Sequence, residues 1–391
     1  MATSVKVKLG DPRLLAWARE SAGYSLSQFA RVLHKKEDRI AAWESGTDTP
    51  TYRQLEELAK KVKRPVAAFF LPVVPQEPPR PADFRTVPGR GRGQYDPKSL
   101  VAFREARNWL VDVRTLLGLT ESSLEFSLPS FTIDDDPDQV ASEVRELLAV
   151  DVGEQISWRD DYYWVCDMWR DTLFDRGVLV MVFRMPFEDV RAFSAMGEGL
   201  AAIGVNTADR GYGRVFSMFH EVAHLSLRQP GVSGDPVGRR AGSAGGPARL
   251  ERYCDRVAAS LLLPAGHPEI RDALSRVAYD QSASAVNEEA AVLKVSKYAL
   301  LGRAWDLRYI TEDTYWSTVQ DWRTEDAEAR RPPAGGDHLV NRVSHVGKRL
   351  VSVVFDALDA KEISSYEASK LLGIDPGHFP RARKRAIRGV L

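Results

Sequence analysis

RVFSMFHEVAHLSLR, residues 214–228, decides how this chain is read. It carries His220, Glu221 and His224 in the spacing H-E-x-x-H. On an α-helix, positions i and i+4 lie one turn apart on the same face, so two imidazoles there can bind one zinc ion. The glutamate between them can reach a water on that ion and act as general base. Val215, Phe216, Met218, Phe219, Val222, Ala223 and Leu225 surround the motif and predict a buried helix. Chance matches to so short a pattern usually lie on solvated helices. In an apolar helix, two histidines and a glutamate are costly unless they find partners.

A catalytic zinc has three protein ligands and one open position. The third ligand is expected from a later segment, and ERYCDRVAASLLLP (251–264) supplies it. Glu251 and Asp255 are again i and i+4. Glu251 can bind the metal while Asp255 accepts a hydrogen bond from a ligand histidine, orienting its ring. Tyr253 competes by position only and is a poor zinc ligand. His267 is the alternative, but it lies beyond the helix-ending Pro264.

Working outward, VLVMVF (178–183) and LAAIGVN (200–206) read as strands. The metal helix spans about 211–228, and the second metal helix about 249–263, after a Gly-rich loop at 231–248. Helical spacing recurs at 98–119, 138–149 and 159–176. Two more helical segments are expected over 268–325, and a basic helical tail over 338–391. Residues 11–70 read as five short helices, with Ser25 as an N-cap and Thr51 restarting a helix. A Pro/Gly/Arg-rich linker or strap at 73–97 follows. The fold class is therefore mainly α with a small β-sheet (α+β).

These residues resemble the ImmA/IrrE family of zinc metallo-endopeptidases, in the subgroup with an N-terminal Xre-type helix-turn-helix. WARESAGYSLSQFARVL (17–33) and IAAWESGTDTPTYRQLEELAKKVKRPVAAFFLP (40–72) look like the Xre module. PRPADFRTVPG (79–89) is similar to that subgroup's linker, and LKVSKYALLGRAWDLRYITEDTYW (293–316) to its small helical unit. The resemblance implies an Xre-type domain over 1–72, a thermolysin-like zincin domain over 98–266, a helical unit over 267–330 and the tail at 338–391. It implies one Zn²⁺ per chain and a protein substrate, typically a DNA-binding repressor. It also implies that the run 200–206 borders the cleft, where it could pair with an extended substrate. The family's ExxAN pattern here reads Glu251-x-x-Cys254-Asp255, which keeps a hydrogen-bond acceptor at the last position.

Formal net charge is zero over 391 residues, so total composition does not indicate nucleic acid. The ends are basic, with 13 Lys/Arg against 8 Asp/Glu over 1–75 and 10 against 5 over 338–391. In a helix-turn-helix the third helix, expected near 36–44, enters the major groove. Gln28, Lys35, Lys36 and Arg39 are the candidate DNA or partner contacts. Glu37 and Asp38 would repel phosphate, and Ala41 and Ala42 cannot read bases. Docking of a protein partner or homodimerisation is the competing use of the module. In the tail, Arg381, Arg383, Lys384, Arg385 and Arg388 form a basic face, preceded by the spacing of a second helix-turn-helix. Two cysteines outside any CxxC pair, no signal-like start and no membrane-length apolar run predict a cytoplasmic protein. The function class expected first is a zinc endopeptidase. The alternative is an Xre-type DNA-binding regulator whose zinc fold senses rather than cuts.

Overall fold

The computed structural model describes residues 5–77, 82–83, 95–120, 123–209, 211–233, 246–328 and 337–387. They divide into two compact units, Met1–Arg80 with Gly93–Glu105, and Pro81–Arg92 with Ala106–Leu391.

The first unit contains α1 (Arg13–Ser21), α2 (Leu26–Val32), α3 (Glu37–Ser45), α4 (Tyr52–Val62) and a 3₁₀ turn, Val66–Phe70. The fifth expected helix is thus only that turn. Ser25 and Gln28 close a capping box on α2, and Thr51 and Gln54 another on α4, so local side chains satisfy donors that the helix leaves open. Leu14, Leu15, Phe29, Ile40, Trp43, Leu55, Leu58 and Phe69 form the core. The half-buried pair of Arg19 with Glu44, at 2.7 Å, ties α1 to α3.

The second unit holds a five-stranded mixed sheet in the order β1-β5-β3-β4-β2. Its strands are β1 (Ala82–Asp83), β2 (Val178–Phe183), β3 (Ala192–Met196), β4 (Ala201–Asn206) and β5 (Gly231–Ser233). β2 runs parallel to β4, while β3 is antiparallel to both β4 and β5. Every residue of β2 and β4 is buried, which explains their continuous apolar sequences. Gly204 leaves room for the Phe193 ring across the ladder, since a Cβ there would meet it at 2.2 Å.

β4 is hydrogen-bonded on both sides, which corrects the expectation that 200–206 could pair with a substrate. Its backbone donors and acceptors are already used by β2 and β3. β2 has a free edge, and side chains cover it: the Arg170 guanidinium donates to the Val180 carbonyl at 3.1 Å, and His345 Nδ1 donates to that of Val182.

Helix α5 (Pro97–Leu119) begins in the first unit and ends in the second. There follow α6 (Pro137–Leu148), α7 (Val152–Ser157), α8 (Tyr162–Phe174), α9 (Gly213–Ser226) and α10 (Gly246–Leu262). Residues 268–325 form four helices rather than the two expected: α11 (Pro268–Tyr279), α12 (Ala283–Val292), α13 (Lys297–Asp306) and α14 (Glu312–Glu328). Ser282 and Ser296 cap α12 and α13, and Lys294 and Arg308 take left-handed backbone, so the chain turns sharply without interrupting the apolar pattern. The tail is helical as expected, comprising α15 (His338–Val346), α16 (Lys348–Asp359), α17 (Ser365–Leu372), a 3₁₀ turn (Pro376–His378) and α18 (Phe379–Ile387). Most of the PADFR stretch, most of the 231–248 loop and Arg388 lie outside the described residues. Among the described residues, no helix is long and apolar enough to cross a membrane.

Candidate metal centre

Twelve residues of α9, Arg214, Val215 and the unbroken run from Ser217 to Ser226, are buried. One face packs on β3 and β4, and another on α10. The α9–α10 seam is apolar: Ala223 and Leu227 meet Leu250, Cys254 and Val257. This packing sets the rotation of α10 and turns Glu251 toward the two histidines. Cys254, which is in no disulfide, serves as a small buried filler in that seam.

His220 Nε2 and His224 Nε2 face each other at 3.2 Å. His224 Nε2 lies 3.0 Å from Glu251 Oε1, and His220 Nε2 lies 3.7 Å from Glu251 Oε2. All three residues are buried, and together they could hold a metal ion. A tetrahedral zinc with ligands at about 2.0–2.1 Å puts neighbouring donors roughly 3.3 Å apart, so the observed spacings suit such an ion. Two imidazole nitrogens and a carboxylate, all neutral or anionic donors, are also the chemistry a zinc site uses. His267, the alternative ligand, sits apart from this group; it precedes α11 and lies 3.7 Å from Glu269. Tyr253 is buried on α10, within the apolar cluster that includes Ala223, Leu227 and Leu250.

Asp255 Oδ1 lies 2.8 Å from His220 Nδ1. That contact holds a proton on Nδ1 and leaves Nε2 with a lone pair toward the centre. Burial alone would pull the His220 pKa down; the Asp255 and Glu251 carboxylates outweigh it and push the value up to about 10. The two carboxylates thus favour positive charge at His220, and in a metal-bound site the ion at Nε2 would take the place of the second imidazole proton.

Glu221 is fully buried. Its Oε2 accepts a hydrogen bond from Ser194 Oγ at 2.7 Å, and its Oε1 has no hydrogen-bond partner among the described residues. Ser194 Oγ in turn accepts the Gly231 N–H at 3.3 Å, which directs its own proton to Glu221. Ser194 went unread in the sequence; the only signal was one polar residue inside the apolar run AFSAM. A buried carboxylate with one oxygen anchored and the other open is positioned to take up a proton.

In the first unit, Lys36 at the N-cap of α3 and Arg39 on the helix are exposed, beside Glu37, Asp38 and Ala41. Arg39 leans to Asp48 at 3.4 Å and over the Trp43 ring. Lys35 is half-buried. The Gln28 carbonyl oxygen accepts the Ser25 N–H at 2.9 Å, so this side chain is folded back as a cap. In the tail, Arg381 pairs with Asp337 at 3.2 Å, and Arg383 with Asp359.

No curated protein matches the chain. A helix-turn-helix family model matches residues 15–69, so the first unit carries a helix-turn-helix, a DNA-binding motif.

Proposed function

We propose that the chain is a zinc-dependent endopeptidase. The observation that carries the reading is the convergence of His220, His224 and Glu251 beside the buried carboxylate of Glu221. When bound, zinc supplies Lewis acidity toward a scissile carbonyl and toward water. The chain's own residues do the rest. Glu221 Oε1 takes the proton of the attacking water, and Ser194 holds the other carboxylate oxygen still. Asp255 keeps His220 in the tautomer that presents Nε2. Sheet and helix close around these groups and exclude bulk water, which strengthens each interaction.

The substrate we propose is a DNA-binding repressor, so that cleavage would alter transcription in a stress or mobile-element response. The helix-turn-helix of residues 15–69 would dock that partner, because the exposed start of α3 pairs two acids with two bases and offers Ala41 where base readout needs a long polar side chain.

The helix-turn-helix also supports a second reading: a DNA-binding regulator whose metal centre senses and does not cut. Metal analysis combined with incubation against helix-turn-helix repressors separates the two. One zinc per chain, lost in His220→Ala and His224→Ala, together with cleavage of one repressor, is the expected result. Zinc without cleavage of any repressor or peptide favours the sensor, and a metal-free wild type sinks both.

A further inference from the structure

A pocket of about 420 Å³ opens beside the metal helices, between α9, α10, α13 and α14. Its lining includes four aromatic side chains, Phe216, Tyr298, Trp305 and Tyr315. Trp305 and Tyr315 stack at 4.7 Å with an interplanar angle of 18°, and Phe216 lies one helical turn before His220 on α9. Gly302 sits in the interior of α13, where glycine costs about 1 kcal/mol relative to alanine. A Cβ there would meet nothing within 4 Å, so the glycine keeps space open in the pocket wall.

The charge is lopsided. Four arginines and two aspartates line the pocket. Arg256 pairs with Asp306 at 3.0 Å, Arg191 is held by Asp209 at 2.9 Å, and Asp255 is engaged with His220. Arg308 is exposed and forms no ion pair among the described residues. A cavity between helices, mostly apolar with a few convergent polar groups and within roughly 300–1,000 Å³, has the character of a small-molecule site. Flat aromatic walls favour an aromatic body by offset stacking, and the unbalanced guanidinium favours an attached carboxylate.

We propose that this pocket binds a small aromatic carboxylic acid. Asp255 forms part of the wall and also holds His220, so the ligand bears on a residue of the metal centre. That consequence rests on the metallopeptidase reading; the binding itself does not.

Isothermal titration of the full chain with phenylpropionate and indolepropionate tests it, with phenylpropionamide and a capped glutamyl-phenylalanine dipeptide as comparisons. Saturable binding of at least one acid is expected, several-fold tighter than the amide. Gly302→Leu fills the space and removes a helix-weakening glycine, and should weaken binding by about tenfold or more, roughly 1.4 kcal/mol. Arg308→Gln should weaken it several-fold. Circular dichroism and zinc content read out the integrity of both variants, which should match the wild type. Failure of both acids to saturate, equal binding of the amide, undiminished binding in an intact Gly302→Leu, or binding confined to the dipeptide would each overturn the proposal. Binding as expected in a chain that holds no zinc would leave the pocket standing and remove the peptidase reading.

Discussion

Asp255→Ala tests the contact that holds His220 at the metal centre. Asp255 does not belong to the converging donor set; its Oδ1 lies 2.8 Å from the far nitrogen of His220. A hydrogen bond to a charged group contributes about 1.5–3 kcal/mol. The Asp255 side chain is 21% exposed, so solvent screens it and the lower part of that range applies, about 1.5–2 kcal/mol. At 1.4 kcal/mol per tenfold, zinc affinity should fall roughly 10–30-fold. Removing a ligand's outer partner typically costs about 10–100-fold, which agrees. Glu251→Ala deletes one of three donors and should cost about tenfold more again. Competition against a chromogenic chelator at neutral pH measures both. If Asp255→Ala shifts affinity less than about twofold, or matches Glu251→Ala, the hydrogen-bond reasoning fails.

Glu221→Gln should retain zinc and fold while losing most hydrolysis, because the amide cannot accept the proton; undiminished turnover of a peptide substrate would assign the base elsewhere. Burial first, then the neighbouring Asp167 carboxylate, push the Asp171 pKa from 3.8 up to about 6. Its folded value exceeds the unfolded one, so its contribution to stability is fully present below about pH 4 and is lost as pH rises through about 6. Asp171→Asn should therefore stabilise the protein by about 1–2 kcal/mol above pH 7, allowing for partial exposure, and by nothing near pH 4; equal denaturation midpoints for mutant and wild type at both pH values would contradict this. Lys36→Ala should weaken any DNA binding by the helix-turn-helix without regard to sequence and lower the salt slope by about 1. Gel shifts at two salt concentrations read this, and an unchanged slope would remove Lys36 from the phosphate contacts.

Much of the chain was legible because its signals are local. The i, i+4 spacing of His220 with His224, and of Glu251 with Asp255, needs only helical geometry to place each pair on one face. Ser25 and Thr51 marked helix starts because a capping box is built within four residues. VLVMVF could be read as a strand because it is buried on both faces. Less of the site's surroundings was legible. AFSAM and GVS have weak strand propensity: AFSAM becomes β3 by forming a hairpin with the neighbouring β4, whereas GVS becomes β5 only by pairing with β1 and β3, far away in the chain, a context no local window contains. The four helices of 268–325 merged into two because short capped turns leave the apolar period almost unbroken.

Local sequence thus determined which side chains the site offers: two imidazoles, two i, i+4 carboxylates and a glutamate on a buried helix. Tertiary structure decided how they meet. Packing of Ala223 and Leu227 against Leu250, Cys254 and Val257 sets the rotation that brings Glu251 to the histidines across more than twenty intervening residues. Strand order placed β4 inside the sheet and Ser194 under Glu221. Helical spacing acts over one turn, whereas distances between helices and the order of strands are set by burial of apolar faces that are far apart in the chain, and so appear only once the core has closed.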